Sequence, residues 1–191
     1  MIKTAFSTLG CPQWSFAEIF STATDLGFDG IEFRGVESEI YMPRVREFSP
    51  ENIEATRQKF KAAGIAVPVF SSGAVMGDSE NAQAAVKEAL DYIDLCSGFG
   101  SPYVRVLADR APAPSCGVDE DVLVDNLRQA TSYAASKGVG VLIETNGCYC
   151  HTDRLVALIE KVGAGNLAVV WDIHHTCRYG GEAPSVTVKR L

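Results

Sequence analysis

Two short apolar runs in this 191-residue chain end in groups that bind metal ions. Val141-Leu142-Ile143 runs into Glu144, with Thr145 and Asn146 behind it, and Val169-Val170-Trp171 runs into Asp172, with His174 and His175 close behind. Runs of this length, rich in Val and Ile, read as strands buried on both faces, where a terminal carboxylate has no packing reason to stand. Neighbouring strands lie about 4.8 Å apart, so on adjacent strands the two carboxylates converge and repel unless a proton or a cation sits between them. A divalent cation resolves that repulsion. His175, three residues past Asp172, stands where an imidazole completes a mixed oxygen and nitrogen shell or touches one of its ligands. Such a shell suits Mn, Mg, Zn or Co better than Cu or an iron–sulfur cluster. The spacing leaves a plainer alternative open, in which Asp172 caps the following turn and His174 or His175 hydrogen-bonds a backbone carbonyl.

Regular elements must carry these groups, and strand and helix signals alternate along the whole chain, the pattern of an α/β fold with a parallel sheet. A first strand is predicted over Thr4–Leu9, then a helix over Ser15–Leu26 stopped by Gly27. Gly30–Arg34 is a second strand, followed by a helix that starts near Ser49-Pro50, serine as cap and proline in the first turn, and ends at Gly64. Ile65–Phe70 is a third strand with Ser71-Ser72-Gly73 as its exit loop, and the helical spacing of apolar residues predicts a helix over Ser79–Cys96. Tyr103–Leu107 is a fourth strand, Asp119–Lys137 a helix closed by Gly138, and Thr152–Val162 a helix between the strands that carry Glu144 and Asp172. Beyond these come Gly180-Gly181-Glu182-Ala183-Pro184 and a short tail, to which no element is assigned.

Six such units suit an open doubly wound sheet or a barrel. The former normally carries a glycine-rich phosphate loop after its first strand, and Leu9-Gly10-Cys11-Pro12 is not one. A (β/α)8 TIM barrel spreads its chemistry over several strand ends, as Glu32, Glu144 and Asp172 are spread here. The expectation is therefore one α/β domain of TIM-barrel type over residues 1–191, incomplete at six βα units, because a full barrel takes about 250 residues.

With 47% hydrophobic residues the chain can bury a full core, and its net charge of -7 argues against a nucleic-acid partner, which needs clustered Lys and Arg. The sequence opens on no signal-peptide pattern and contains no run of membrane-spanning length, so a cytoplasmic protein without a membrane partner is expected. Cys11, Cys96, Cys116, Cys148, Cys150 and Cys177 follow no framework spacing and read as reduced thiols. Cys148-Tyr149-Cys150-His151 lacks the second ligand pair that a structural zinc site needs.

Leu26-Gly27-Phe28-Asp29-Gly30-Ile31-Glu32, Leu142-Ile143-Glu144-Thr145-Asn146 and the run from Trp171 through His175 to Pro184 together resemble the xylose isomerase-like TIM barrels. That family comprises sugar phosphate isomerases and epimerases, with inosose dehydratases, hydroxypyruvate isomerases, ketose 3-epimerases and the endonuclease IV group as relatives. The resemblance implies one divalent ion (Mn, Mg, Co or Zn) held by a glutamate on strand five, an aspartate on strand six, a histidine on strand seven and a glutamate on strand eight. Glu144 and Asp172 match the first two, and the chain ends before the other two. His175 matches a histidine that faces substrate. Ketose epimerases carry a further glutamate six residues after the strand-five ligand, where this chain has Cys150.

The resemblance further implies a small sugar or sugar phosphate as substrate and proton transfer next to its carbonyl, through an enediolate. Glu144 would be ligand and base, Asp172 a ligand, and His175 a catalytic group that orients substrate. Glu32 and Arg105 would bind substrate from strands two and four, or form ordinary ion pairs. A dehydratase acting on inososes is the alternative within the same fold. An endonuclease needs extra histidines on strands three and four, which Pro68–Ser71 and Val104–Leu107 do not supply. A truncated, inactive barrel is the third reading, with unpaired edge strands and half the metal shell, and such edges favour a homo-oligomer.

Overall fold

A computed structural model describes residues 2–115 and 117–191, so the thiol reading of Cys116 lies outside the described residues. Six parallel strands follow one another in space as they do in sequence: β1 (Ala5–Ser7), β2 (Gly30–Glu32), β3 (Val69–Val75), β4 (Tyr103–Leu107), β5 (Gly140–Glu144) and β6 (Leu167–Val170). Single bridges Gly30–Ala66 and Phe33–Phe70 join the β1–β2 pair to the β3–β6 sheet. Among the described residues no pairing links β6 back to β1, so the barrel wall is open there. Helices α1 (Phe16–Asp25), α2 (Ile53–Ala63), α3 (Ala82–Phe99), α4 (Glu120–Lys137) and α5 (Thr152–Val162) connect the strands, and α6 (Ile173–Arg178) and α7 (Pro184–Arg190) follow β6.

Each strand divides its residues between two environments, because successive side chains point to opposite faces. Ile31, Phe33, Phe70, Val104, Val106, Val141 and Ile143 are buried in the core, while Glu32, Ser71, Arg105, Leu142 and Glu144 take the alternate positions. On the β1–β3 side the core is a mutual packing of Phe16, Phe33, Phe48, Phe60, Phe70 and Phe99, with neighbouring ring centroids 5.0–6.1 Å apart, mostly tilted or edge to face.

The helix boundaries show which local signals operate. Ser15 accepts from the Glu18 amide while Glu18 accepts from the Ser15 amide, a reciprocal cap that starts α1 where expected. Asp119 caps α4. The second helix differs from expectation: it starts at Ile53, because the amides of Asn52 and Ile53 both donate to the Ser49 carbonyl and hold Ser49-Pro50 in a turn.

Three other regions differ. The third strand runs from Val69 to Val75, through the expected exit loop, because the Ser71 hydroxyl bonds Glu32 and the Ser72 hydroxyl bonds the Arg105 carbonyl at 2.8 Å. β6 is not buried on both faces: it is the outer strand, with Ala168 exposed and Val169 and Val170 half-buried. The tail, left without an assigned element, forms α7, tied to α5 by Glu182, which accepts from the Thr152 amide (2.9 Å), the Thr152 hydroxyl (2.6 Å), the Thr187 hydroxyl (3.1 Å) and Arg190 (2.9 Å). Gly180 makes that return possible, since a Cβ there would stand 2.6 Å from the Cys150 carbonyl oxygen and 2.8 Å from that of Thr176. No helix among the described residues is long and apolar enough to cross a membrane.

Candidate metal centre at the ends of β5 and β6

Glu144 is the last residue of β5 and pairs with Val170, the last of β6. The chain leaves β6 through Trp171, and Asp172 becomes the N-cap of α6, its Oδ1 accepting from the His175 amide at 3.1 Å. The plainer reading of Asp172 is thus realised, yet it engages only one carboxylate oxygen. The other, Oδ2, lies 3.6 Å from His175 Nδ1, and Glu144 Oε1 lies 3.6 Å from the same nitrogen. One ligand-type atom from each of the three residues falls within 4.8 Å of the others, the one such grouping among the described residues.

His175 Nδ1 is also 3.2 Å from the Thr145 carbonyl oxygen. A carbonyl only accepts, so Nδ1 is the donor in this contact and Nε2 is the ring nitrogen turned away from it. Protonated at Nδ1, His175 orients the two carboxylates and does not ligate through that nitrogen. Thr145, fully buried, ties the whole arrangement together. Its amide donates to Val170, and its hydroxyl accepts from the Asp172 amide at 2.8 Å and stands 3.3 Å from the Asp172 carbonyl.

Arg105 closes the site from β4. Its Nε is 3.1 Å from Glu144 Oε2, an ion pair whose N–H is not aimed along the contact, and its Nη1 donates to the Ser72 carbonyl at 2.7 Å. Burial depresses the guanidinium's pKa, the Glu144 charge opposes that shift, and the like charge of Arg34 adds to it. Arg105 therefore supplies part of the positive charge that two converging carboxylates demand.

The donor set still fits a divalent ion. Glu144 Oε1 and Asp172 Oδ2 are hard oxygen donors with no hydrogen bond of their own among the described residues, and each lies 3.6 Å from His175 Nδ1. Two ligands held at about 2.1 Å from one ion can stand no more than about 4.2 Å apart, so a small adjustment of either carboxylate brings both onto a common ion.

The structure thus brings together Glu144, Asp172, His175 and Arg105. Glu32, at the end of β2, is not in this cluster, since its carboxylate holds the Ser71 hydroxyl. Sequence reasoning passed over two participants. Thr145 directly follows the strand-five glutamate, and Arg34 stands two residues after Glu32, the spacing that puts two side chains on one face of a strand. A cavity of about 730 Å3 opens at the neighbouring ends of β3 and β4, lined in part by Asp78, Glu80, Asp109 and Arg110; Arg110 pairs with Asp78 at 2.7 Å, and both Asp109 oxygens accept from Ser115 at 2.9 Å.

Against known proteins, the chain is 25% identical over 178 residues to hydroxypyruvate isomerase of Escherichia coli (strain K12), an alignment that covers 89% of this chain and 68% of that protein. Among solved structures it is similar in fold to AsbF of Bacillus anthracis, a probable 3-DHS dehydratase involved in petrobactin synthesis, with a TM-score of 0.79, 19% identity, and coverage of 100% of this chain and 69% of the other. A xylose isomerase-like TIM barrel protein from Mycobacterium smegmatis, solved in complex with magnesium, superposes with a TM-score of 0.74 at 20% identity, over 100% of this chain and 73% of the other. The family model for the xylose isomerase-like TIM barrel matches residues 20–190. The chain belongs to the xylose isomerase-like TIM barrel family.

Proposed function

We propose that this chain belongs to a divalent-metal-dependent isomerase or epimerase that moves a proton next to the carbonyl of a small sugar or sugar phosphate. The observation that carries the reading is the convergence of Glu144, Asp172 and His175 at the ends of β5 and β6. The likeness to hydroxypyruvate isomerase supports the reaction class. Glu144 and Asp172 would hold the ion, which when bound stabilises the negative charge that develops on substrate oxygen.

The chain's own residues do the rest. Glu144 would be both ligand and base: Oε1 faces Asp172 and His175 and Oε2 stands beside Arg105, so the carboxylate oxygen that is not on the ion takes up and returns the proton. His175, fixed by the Thr145 carbonyl through Nδ1, presents Nε2 to substrate and orients it. In barrels of this kind substrate reaches the C-terminal ends of the strands, the end at which Glu144 and Asp172 stand.

Calorimetric titration with Mn, Mg, Co and Zn ions tests the ligand set. Glu144→Gln and Asp172→Asn are each expected to weaken the preferred ion by at least about tenfold. Equal affinity in the unaltered chain and the double variant would remove the metal centre. Incorporation of solvent deuterium beside the carbonyl of candidate ketoses and sugar phosphates, followed by NMR, tests the proton transfer.

A further inference from the structure

We propose that the substrates of this site carry an acidic group, a carboxylate or a phosphate, and that Arg34 is the residue that binds it, with Arg105 beside it. The proposal rests on the isomerase reading for where the reacting end lies, at Glu144 and Asp172, but its own evidence comes from different residues.

Phe33 is buried in the aromatic core and bridges Phe70, so the residues on either side of it, Glu32 and Arg34, take the opposite face, the one that also carries Ser71 and Arg105. Arg34 is half-buried there. Arg57, Arg105, Arg110, Arg128, Arg154 and Arg190 each pair with a carboxylate within 4.0 Å; among the described residues Arg34, like Arg44, Arg46 and Arg178, pairs with none, and of these four it is the one on the face that carries Arg105. Glu88, beside Gly73, accepts from the Gly73 amide at 2.6 Å, and Glu32 holds the Ser71 hydroxyl. A Cβ on Gly73 would stand 3.2 Å from Glu88 Oε1 and 3.9 Å from Arg34 Nη2, so the guanidinium lies beside this stretch of β3.

Arg34 is also close enough to Arg105 for the two like charges to disfavour one another, and the carboxylates that act on Arg105, Glu144 and Glu32, are engaged with Arg105 itself and with Ser71. A half-buried guanidinium held near a second one gains most from an anion, and its planar fork matches the oxygens of a carboxylate or phosphate in a bidentate manner. A neutral sugar hydroxyl offers it far less. The site then has two poles: carboxylates at the ends of β5 and β6 for the reacting carbons, and a guanidinium at the end of β2 for the acidic terminus.

Binding of glycerate, glycerol 3-phosphate and glycerol to the chain, measured by calorimetry, tests this. At least one anion is expected to bind about tenfold or more tightly than glycerol, and which one does identifies carboxylate or phosphate as the recognised group. Arg34→Gln is expected to abolish that preference while leaving metal affinity unchanged, and Glu144→Gln to lose the metal while keeping the preference, so the two readings fail separately. In the unaltered chain, the preferred anion should protect Arg34 from phenylglyoxal modification, read by peptide mass, whereas glycerol should not. Equal affinity for anions and glycerol, an anion preference that survives Arg34→Gln, or no protection of Arg34 would each overturn the proposal.

Discussion

The β1–β3 side and the β5–β6 side of this molecule are built from the same βα unit and held by different forces. On the first, six phenylalanines from α1, α2, α3, the strands and the turn before α2 pack ring against ring, and stability comes from apolar area removed from water. On the second, the connections are directed: Thr145 to Asp172 and His175, Arg105 to Glu144, and Glu182 to Thr152, Thr187 and Arg190. Apolar packing tolerates small shifts at modest cost, whereas a hydrogen bond weakens steeply with angle. The polar side therefore holds oxygen atoms in place, and the aromatic side keeps the sheet against its helices while that happens.

The sharpest way to break the comparison is Phe70→Ala. Phe70 is fully buried and touches the rings of Phe33, Phe48 and Phe99, so the variant is expected to lose about 3–5 kcal/mol in denaturant unfolding. Where it remains folded, its metal affinity should match that of the unaltered chain. A parallel loss of affinity would show that the two sides are not separable.

Glu182→Ala probes the polar side at its latch and is expected to cost about 1–3 kcal/mol, because it leaves the Thr152 amide and hydroxyl without their partner. The same residue carries a pH signature. Burial raises its carboxyl pKa, but the hydrogen bonds from Thr152 and Thr187 and the charge of Arg190 outweigh burial and hold it below the ordinary carboxylate value. Its contribution is therefore complete above the unfolded-state pKa, about 4.3, and is lost as pH falls through the lowered folded value. The stability gap between the unaltered chain and Glu182→Gln should accordingly be constant from pH 7 to about pH 5 and close below about pH 4. A gap that persists at low pH would mean the latch acts through packing alone.

The smallest expected effect on stability, and the most local, is that of Thr145→Val. It removes the hydroxyl that accepts from the Asp172 amide, for about 1 kcal/mol, and keeps the carbonyl that holds His175. Metal affinity should fall by about 10-fold or more, because Asp172 loses the bond that fixes its backbone. If stability falls and affinity does not, Thr145 is a structural residue only.

Much of this was legible in the sequence where the signal is local. β4 runs over Tyr103–Leu107 and α5 over Thr152–Val162 as expected, and glycines 64, 138 and 163 close their helices in the left-handed conformation. The third strand was misjudged because Ser71-Ser72-Gly73 has turn-like composition, and only partners on other strands, Glu32 and the Arg105 carbonyl, make a strand of it. α7 was missed for a similar reason: Glu182 accepts from Thr152, thirty positions earlier, and no nearby residue announces that bond.

What the sequence determines by itself is the order of βα units and the placing of Glu144 and Asp172 at strand ends, because hydrophobic period, caps and glycine stops act over a few residues. Which oxygen does what is decided in three dimensions. The register of β5 on β6 brings the two carboxylates together, the capping of α6 divides the oxygens of Asp172 between structure and site, and the register of β4 sets Arg105 against Glu144. These pairings join residues tens of positions apart, and the energy that selects them exists only once the sheet has formed.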